Sequence, residues 1–566
     1  MNRLDLTFKN SDRPQTESFG SLLWSSLFIA FLFAAVSFLS SPIPGVNEPH
    51  YLTKARAFND PTWCSRDFFL TSSNAHFCFF WLVGTMTRIL SLDSIAVIGR
   101  VTSSLLLATG WTMLGRSLGL HAAFRIGAAV FFASLSLLGS FSGEWLLGGF
   151  ESKVPAWGFA LMAVSLWISG QLKTCPGWMT AAGVAGGIAC TLHPVVGGWV
   201  SACICMASSW NFLTTRLFRS QQSTLLQPSP FKAVIGLTCF SAMTIVLSLP
   251  GLIPALRLVL DTSTPQKDRQ LAAFFQVFWR LKHHLDPTEL PAQQWLYALF
   301  VGGGLIVCRR WLKNTEKSSV TGMAIVNPPR VLPAYNHLIT FFFMSFLVAL
   351  AGVVIGWHTT AAQKMNGWEW RAALLKFYPF RCFDALLPIS LALVLGGLAQ
   401  TRTVSTIAKM GRPRVAVIVA CFLSLPLLQA WHTRESVPAG YTADQFSGWH
   451  EACEWIRNNT PREALFLTPR ESFAFKWFAE RAEFVCYKDC PQDAPGILTW
   501  NKRLWMLHDW TLQSSSDLRY DNRDLETLRK ETDCDFILTR ILGPFEAEPL
   551  WQGREWRIYA VPRTQP

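Results

Sequence analysis

An acidic residue and two polar ring-bearing residues stand together just after the first long apolar run of the chain. They are Glu48, His50 and Tyr51, and they open a stretch with apolar residues at helical spacing. A carboxylate beside an apolar layer is poorly solvated, which raises its pKa and allows it to accept a proton from a hydroxyl group. Glu48 is therefore a candidate base, with His50 and Tyr51 as candidate ligand-binding neighbours. The alternative is that Glu48 only opens the helix, where the helix dipole favours an acidic side chain.

A second acidic segment lies between two further apolar runs and contains Glu144, Glu151 and Lys153. Charged groups at the edge of a membrane are energetically costly and are therefore candidates for a functional role. If this segment and Glu48 lie on one face of the membrane, two carboxylates converge on one pocket and share the tasks of base, metal ligand or hydroxyl-orienting group. The alternative is that Glu151 and Lys153 only form a local ion pair at the end of an apolar run.

Two later segments, FWRLKHHLDP and WEWRAALLKFYPFRCFD, combine cationic side chains with aromatic residues. A cationic cluster at a membrane surface neutralises a phosphate or pyrophosphate leaving group in a transition state. Attraction to anionic lipid headgroups explains the same residues without catalysis. The candidate phosphate ligands are Arg280, Lys282, His283, His284, Arg371, Lys376 and Arg381.

The sequence does not indicate a metal site, and the cofactor stays unknown at this point. His283 and His284 stand near Asp286, but the side chains of adjacent histidines diverge on a helix and on a strand. Cys486 and Cys490 have a loose spacing and no histidine ligand beside them. A divalent metal therefore remains an open alternative.

The composition requires that these residues be positioned by membrane helices. Half of the 566 residues are apolar and only 15% are charged, whereas about a quarter of a soluble domain is charged. A membrane-spanning helix needs about 20 apolar residues. Eleven runs are candidates, near residues 20–41, 96–114, 125–142, 154–171, 178–192, 194–212, 233–257, 293–308, 337–357, 380–399 and 414–432.

The short apolar stretch at 75–91 decides which face of the membrane the later loops occupy. It carries two ionisable residues and is either a twelfth span or a helix that lies in the interface. If it does not cross, and the N-terminus with Arg3, Lys9 and Arg13 is cytoplasmic, the inside loops hold more Lys and Arg than the outside loops. We therefore favour eleven spans, with both acidic segments and the C-terminus outside.

The composition changes near residue 433, which divides the chain into a transmembrane domain at 1–432 and a soluble domain at 433–566. Beyond this point the apolar runs shorten, and the strand-like segments ALFLT, EFVCYK, DFILT and WRIYAV alternate with helical stretches. We predict an α-helical polytopic membrane protein with a C-terminal soluble α/β domain.

Several function classes lose support. The net charge of +13 is explained by Lys and Arg retained in cytoplasmic loops, so it does not indicate nucleic acid as a partner. The sequence lacks the phosphate-binding lysine loop, the dinucleotide glycine fingerprint and the common hydrolase motifs. His193 precedes Pro194 at a break between two runs, and we expect it to be structural, with a freed backbone carbonyl as its partner.

The layout of about the first 215 residues resembles the GT-C glycosyltransferases, polytopic enzymes that use polyprenyl-phosphate sugars. The shared features are a first span followed by NEPHY, a span containing IGRVTSSLLLATGWTMLGRSLG, a basic turn, another span and a second acidic loop. The resemblance implies that 75–91 is a juxtamembrane helix, that Glu48 is the catalytic carboxylate, and that Glu151, or less favourably Glu144, is its partner. This chain departs from the family at 74–76, where Asn-Ala-His replaces a frequent Lys-Pro-Pro, and in having a single acidic residue in its first motif.

The same resemblance implies inverting transfer of a sugar from a polyprenyl-phosphate donor to an extracytoplasmic glycan, lipid or protein, in the inner membrane of a bacterium. The segment WIRNNTPREALFLTPRESFAFKWFAERAEFVCYKDCP resembles the extracytoplasmic end of an uncharacterised family of bacterial multi-spanning proteins. Its expected role is that of a lid or an acceptor-recognition module. The competing interpretation is a non-enzymatic membrane protein, either a transporter or an envelope assembly factor.

Overall fold

A computed structural model describes residues 17–217, 230–320, 331–407, 412–434, 436–438, 440–516 and 519–562. Arg3, Lys9 and Arg13, which contribute to the predicted orientation, lie outside these residues. In the described part, a helical N-terminal portion is followed by a small mixed sheet with its own helices.

The N-terminal portion combines long apolar helices with short connecting helices. In chain order they are α1 (Phe19–Ser40), α2 (Glu48–Asn59), α3 (Phe77–Met86), α4 (Leu92–Ser117), α5 (Ala122–Leu138), α6 (Lys153–Lys173), α7 (Pro176–Leu192), α8 (Pro194–Leu217), α9 (Pro230–Val259), α10 (Gln266–Phe274), α11 (Lys282–Leu285), α12 (Ala292–Val320), α13 (Val331–Gly356), α14 (Trp368–Leu375), α15 (Arg381–Ile407) and α16 (Arg412–His432). A π-helical turn at Phe275–Arg280 joins α10 to α11, and a 3₁₀ turn at Ala362–Lys364 precedes α14.

Seven helices of the described ranges have the length and composition of membrane spans, namely α1, α4, α8, α9, α12, α13 and α15. The other four predicted runs also form helices, α5, α6, α7 and α16. The chain is therefore a multi-pass membrane protein, and the total of eleven crossings stays a prediction.

The stretch at 75–91 forms only the ten-residue helix α3. At a rise of about 1.5 Å per residue, this helix is about half as long as the hydrocarbon core of a bilayer is thick. Phe77, Trp81 and Leu82 on α3 are exposed, which is typical of a helix lying in a membrane interface. This geometry agrees with the interface alternative.

Close packing of small residues places α6 and α7 inside the bundle. A Cβ atom on Gly183 of α7 would lie 2.4 Å from the carbonyl oxygen of Phe240 in α9, and one on Gly110 of α4 would lie 2.6 Å from that of Gly158 in α6. Such small residues let helix backbones approach closely in a membrane. The packing fixes the first residue of α6, Lys153, at one end of the bundle.

The C-terminal portion is the predicted α/β unit. Its elements are α17 (Ala443–Asn459), β1 (Leu465–Leu467), α18 (Phe475–Phe478), β2 (Ala482–Glu483), α19 (Ala494–Ser514), α20 (Asn522–Thr532), β3 (Phe536–Thr539), β4 (Trp551–Gln552) and β5 (Arg557–Ala560). The strand order is β2-β1-β3-β5-β4, with β1 parallel to β2 and β3, and with β5 antiparallel to β3 and β4. In register, Phe466 pairs with Phe536, and Ile537 pairs with Tyr559.

The segment between α2 and α3 packs against this sheet rather than standing free. Phe69 and Leu70 share a buried apolar cluster with Leu465, Trp500 and other residues of the C-terminal portion. Arg66 adds an ion pair to Asp535 across the same contact. The C-terminal portion is thereby held over the end of the bundle where α2 and α6 begin.

Candidate functional site

Glu48 is completely buried, and its carboxylate is fully paired. Arg100 of α4 donates to both carboxylate oxygens, at 2.7 and 2.8 Å. The backbone N–H groups of Gly45 and Phe150 donate to the same two oxygens, at 2.8 and 2.7 Å. These four bonds tie the start of α2 to α4 and to the loop before α6. The occupied oxygens of Glu48, and its absence from the lining of the cavity beside it, favour a structural role over the predicted role of base.

The two acidic segments nevertheless meet at one end of the bundle, as the sequence predicts. Lys153 lies 2.9 Å from Glu151 and 3.4 Å from Glu144, and Arg381 lies 3.1 Å from Glu144. Asn47, next to Glu48 in the chain, donates to Glu151 at 2.7 Å. Burial acts to raise the pKa of Glu151, but Lys153 and Asn47 outweigh it and hold that pKa below the ordinary value. Glu151 is thus an ionised hydrogen-bond acceptor.

Asp384 of α15 fixes the loop that carries Glu144. Its carboxylate accepts the backbone N–H groups of Phe141, Ser142 and Glu144, at 2.5, 2.7 and 2.9 Å. The carboxylate of Glu144 in turn accepts the indole N–H of Trp157 at 2.9 Å. Buried carboxylates that accept several N–H bonds rigidify the backbone around them.

A polar cavity of about 640 Å³, the chamber, lies between the end of the bundle and the C-terminal portion. Most of the predicted site residues line it, namely His50, Tyr51, Glu144, Glu151, Lys153, Arg280, His283, His284 and Arg381. The C-terminal portion contributes another wall, which includes Glu471, Ser472, Tyr487, Lys488 and Gln492. The two portions of the chain therefore build one site.

The π-helical turn before α11 brings Arg280 to the chamber wall. Its guanidinium donates to the carbonyl of Lys488 at 3.0 Å and lies 5.1 Å from the ring centroid of Tyr487. His284 contacts the carbonyl of Ser142 at 2.5 Å, and burial lowers the pKa of His284 to about 3. Single π-turns inside helices recur at functional sites, because they re-aim side chains.

Two predicted cations lie away from the chamber. Lys282 is half-exposed and pairs with Glu289 at 2.9 Å. Arg371 donates to the carbonyls of Ile355 and Trp357, both at 3.2 Å. Neither residue lines the chamber, so their positions do not support the expectation that they bind substrate there.

A buried charge network lies directly behind the chamber wall. Lys476 pairs with Asp489 at 2.5 Å, with Asp67 at 3.5 Å and also with Glu483. Despite burial, these three carboxylates hold the pKa of Lys476 well above its ordinary value. His50, on the chamber side, contacts Asp489 at 2.8 Å.

Glu483, Cys486 and Asp489 form a group of potential metal ligands in the described residues. The ammonium group of Lys476 contacts both carboxylates of this group. A cation is therefore already in place, and a metal ion would have to displace it. The group fits a lysine-centred ion cluster better than a metal site.

An apolar groove of about 460 Å³ opens beside the chamber. The ends of α8, α9 and α10 contribute apolar side chains to it, among them Val195, Trp199, Leu252, Leu256 and Val259. Arg269 and Lys376 supply positive charge along its wall. The groove and the chamber share the wall residues Tyr51, His193, Gln276, Tyr378, Arg381 and Gln492.

His193 has a role that the sequence did not indicate. Its Nδ1 lies 3.2 Å from the backbone nitrogen of Val196, and its Nε2 lies 3.1 Å from Arg381, so its partners are not a backbone carbonyl. His193 therefore helps to fix the side chain of Arg381 where the groove meets the chamber. The ring of His76 lies beside it, with centroids 4.7 Å apart, and burial lowers the pKa of His76 to about 3. The two histidines are far apart in sequence, so their contact is visible only in the three-dimensional structure.

The fold and the site define a multi-pass membrane protein with an apolar groove, a polar chamber and an α/β portion over the chamber. Residues 447–507 match a family described as a domain of unknown function, DUF6798. No curated protein matches the chain.

Two solved structures show a partial likeness, both at 13% identity. One is the oligosaccharyltransferase of Archaeoglobus fulgidus in complex with zinc and sulfate, with a TM-score of 0.43 over 91% of this chain and 68% of that chain. The other is the oligosaccharyltransferase AglB of Archaeoglobus fulgidus with an inhibitory peptide and a dolichol-phosphate, with a TM-score of 0.40 over 92% of this chain and 69% of that chain. Both scores lie below 0.5 and establish no shared fold.

Proposed function

We propose that this chain is a membrane-embedded glycosyltransferase of the GT-C type that transfers a sugar from a polyprenyl-phosphate donor to an extracytoplasmic acceptor. The observation that carries the proposal is the junction of the apolar groove with the polar chamber at Arg381. A lipid-linked donor has three parts that match this path: an apolar chain for the groove, a phosphate for Arg381 and a sugar for the chamber. The layout of the first 215 residues, which resembles GT-C enzymes, supports the same conclusion.

The charged residues at the junction take distinct roles in this proposal. Arg381 binds the phosphate and neutralises the charge that develops on it as the bond to the sugar breaks. Lys376 and Arg269 add positive charge at the groove wall. Glu151, held by Lys153 and Asn47, orients the acceptor hydroxyl for attack on the sugar.

Proton-coupled transport finds less support in the described helices. The charged side chains buried among them have fixed partners: Arg100 pairs with Glu48, Arg125 pairs with Glu17, and Asp384 accepts three backbone N–H groups. A proton relay requires groups that gain and lose protons during the cycle. These pairs are better suited to holding the helices together.

Farnesyl phosphate and farnesol test the proposal, because they share a chain and differ in the phosphate. We expect farnesyl phosphate to raise the unfolding temperature of the purified full-length chain more than farnesol does. Arg381→Gln removes a charge-assisted contact and should weaken farnesyl phosphate binding about 10- to 100-fold. Arg371→Gln, which removes a cation away from the chamber, is the matched control and should bind as the wild type does.

Equal stabilisation by the two lipids, or equal loss in both variants, would contradict the proposed donor site. Transfer itself is measured, with a membrane extract that supplies glycan, lipid and protein acceptors, by the release of undecaprenyl phosphate from undecaprenyl-phosphate-linked glucose, mannose, galactose and 4-amino-arabinose. Glu151→Gln should lower this release while leaving farnesyl phosphate binding unchanged, because Glu151 contacts the acceptor and not the phosphate.

A further inference from the structure

His50 lines the chamber and is held in one orientation from three sides. Its Nδ1 lies 2.8 Å from Oδ1 of Asp489. Its ring centroid lies 4.3 Å from that of Phe69 and 5.4 Å from that of Tyr51. Nε2 makes no hydrogen bond to any residue that the structure describes. The imidazole therefore presents one unoccupied nitrogen in a fixed direction.

Asp489 determines which nitrogen carries the proton. Burial acts to raise the pKa of Asp489, but Lys476 and His50 outweigh it and hold that pKa well below the ordinary value. An ionised carboxylate only accepts hydrogen bonds, so Nδ1 of His50 must be the donor. Nε2 then bears a lone pair, which is the state that a general base requires.

We infer that His50 is the general base of this chain and that Asp489 is the residue that positions it. The inference rests on the proposed glycosyl transfer and supplies a proton acceptor in place of Glu48, whose two oxygens are occupied. Nε2 of His50 removes the proton of the acceptor hydroxyl while the hydroxyl oxygen bonds to the anomeric carbon of the sugar. The bond from that carbon to the phosphate oxygen breaks, and the lipid phosphate leaves with the electron pair. The proton stays on His50 until water removes it.

The surroundings of His50 keep the imidazole neutral before the reaction. Burial is the largest effect and lowers the pKa of His50, Lys54 and Lys488 lower it further, and Asp489 raises it. Behind Asp489, the charges of Lys476, Glu483 and Asp67 complete the network. Once the imidazole is protonated, Asp489 stabilises it through the existing bond, so the dyad favours the charged product of proton transfer.

The pH profile of undecaprenyl phosphate release by the full-length chain tests this inference. His50→Gln should lower the rate by about 10²- to 10⁴-fold and abolish the acidic limb of the profile. Asp489→Asn should move the acidic limb to lower pH, because the carboxylate raises the pKa of His50. His508→Gln, on the exposed face of α19, is the matched control and should leave the profile unchanged.

A second measurement adds free imidazole to the His50→Ala variant, in which it can replace the missing side chain as the base. This test does not require that the Asp489→Asn variant be stable. We expect imidazole to restore release, with a pH dependence that follows the pKa of the added base. An unchanged acidic limb in His50→Gln, or no recovery of release when imidazole is added to His50→Ala, overturns the inference. Neither result contradicts the proposed transfer reaction. A wild-type chain that neither binds farnesyl phosphate nor releases lipid phosphate overturns the proposed function and the inference with it.

Discussion

At the scale of single residues, contact with the chamber separates three buried acidic groups that look alike in sequence. The oxygens of Glu48 are occupied by Arg100 and two backbone N–H groups. Glu151 also has partners, Lys153 and Asn47, but it lines the chamber and remains accessible to a ligand. Glu144 combines both features, because it forms an ion pair with Arg381 and also lines the chamber. A carboxylate is therefore available for chemistry here only where the chamber reaches it.

Removing one partner of the Glu48–Arg100 pair should destabilise the fold strongly. Glu48→Gln leaves the guanidinium of Arg100 buried without a counter-charge, which costs about 3–5 kcal/mol. Thermal unfolding of the purified chain measures the loss. Glu289→Gln, which removes one partner of the half-exposed pair with Lys282, is the matched control and should cost about 0–1 kcal/mol.

A second variant separates stability from chemistry at this pair. Glu48→Gln combined with Arg100→Leu removes both charges and should recover part of the lost stability. If Glu48→Gln were as stable as the wild type but unable to release lipid phosphate, Glu48 would be catalytic and the structural role assigned to it would be wrong.

Much of the chamber lining can be predicted from the sequence, because charged residues next to apolar runs are rare and conspicuous. Glu151, Lys153 and Arg381 are found in this way. Asp489 is not, since it lies 439 positions from His50 and nothing in one sequence joins them. The pairing of Glu48 with Arg100 is hidden for a related reason, because in the sequence Arg100 is only a cation near the start of a span.

At the scale of elements, one carboxylate of α15 positions the loop between α5 and α6. Three N–H groups and the hydroxyl of Ser142 point at Asp384. Without that acceptor, these donors would be buried and unsatisfied, and each such donor costs about 1–3 kcal/mol. The conformation of the loop therefore depends on Asp384 of α15, a helix that lies more than two hundred residues later in the chain.

Asp384→Asn should loosen this loop. The amide of the new side chain accepts fewer hydrogen bonds and places its own N–H₂ group against the backbone donors. We expect faster hydrogen exchange in peptides covering 139–150, measured by mass spectrometry on the full chain. Exchange in α17, which lies in the C-terminal portion, serves as the internal control. Unchanged exchange at 139–150 would show that the loop holds its shape without Asp384.

Helices are easier to predict from this sequence than strands are. All eleven apolar runs are helical, because a 20-residue apolar run satisfies its backbone only as a helix in a membrane. EFVCYK reads as a strand, but only its first residue, Glu483, lies in β2. The chain leaves the sheet there, which brings Asp489 into the charge network and Tyr487 and Lys488 to the chamber wall. Tertiary contacts override local strand propensity in this segment.

At the scale of the whole molecule, the C-terminal portion and the segment after α1 form one structural unit over the bundle. Arg56 pairs with Glu480 and Arg66 with Asp535, while Phe69 enters the apolar core beneath the sheet. The chamber exists only where these parts meet. The two acidic segments and the C-terminal portion must therefore lie on the same side of the membrane, whichever side that is.

This shared side is predicted to be the extracytoplasmic one, and accessible thiols test it. α6 begins at Lys153 beside the chamber and ends at Lys173; its 21 residues rise about 30 Å, so the exposed Cys175 lies at the opposite face. On intact cells, a membrane-impermeant maleimide should label Gln513→Cys, at an exposed position of the C-terminal portion, and should not label Cys175 until the membrane is opened. Cys78 and Cys490, which are partly exposed and lie on the chamber side, are replaced by Ser in both samples. Labelling of Cys175 but not of residue 513 would show that the chamber faces the cytoplasm. An extracytoplasmic acceptor could not reach it there, and the proposed orientation would be wrong.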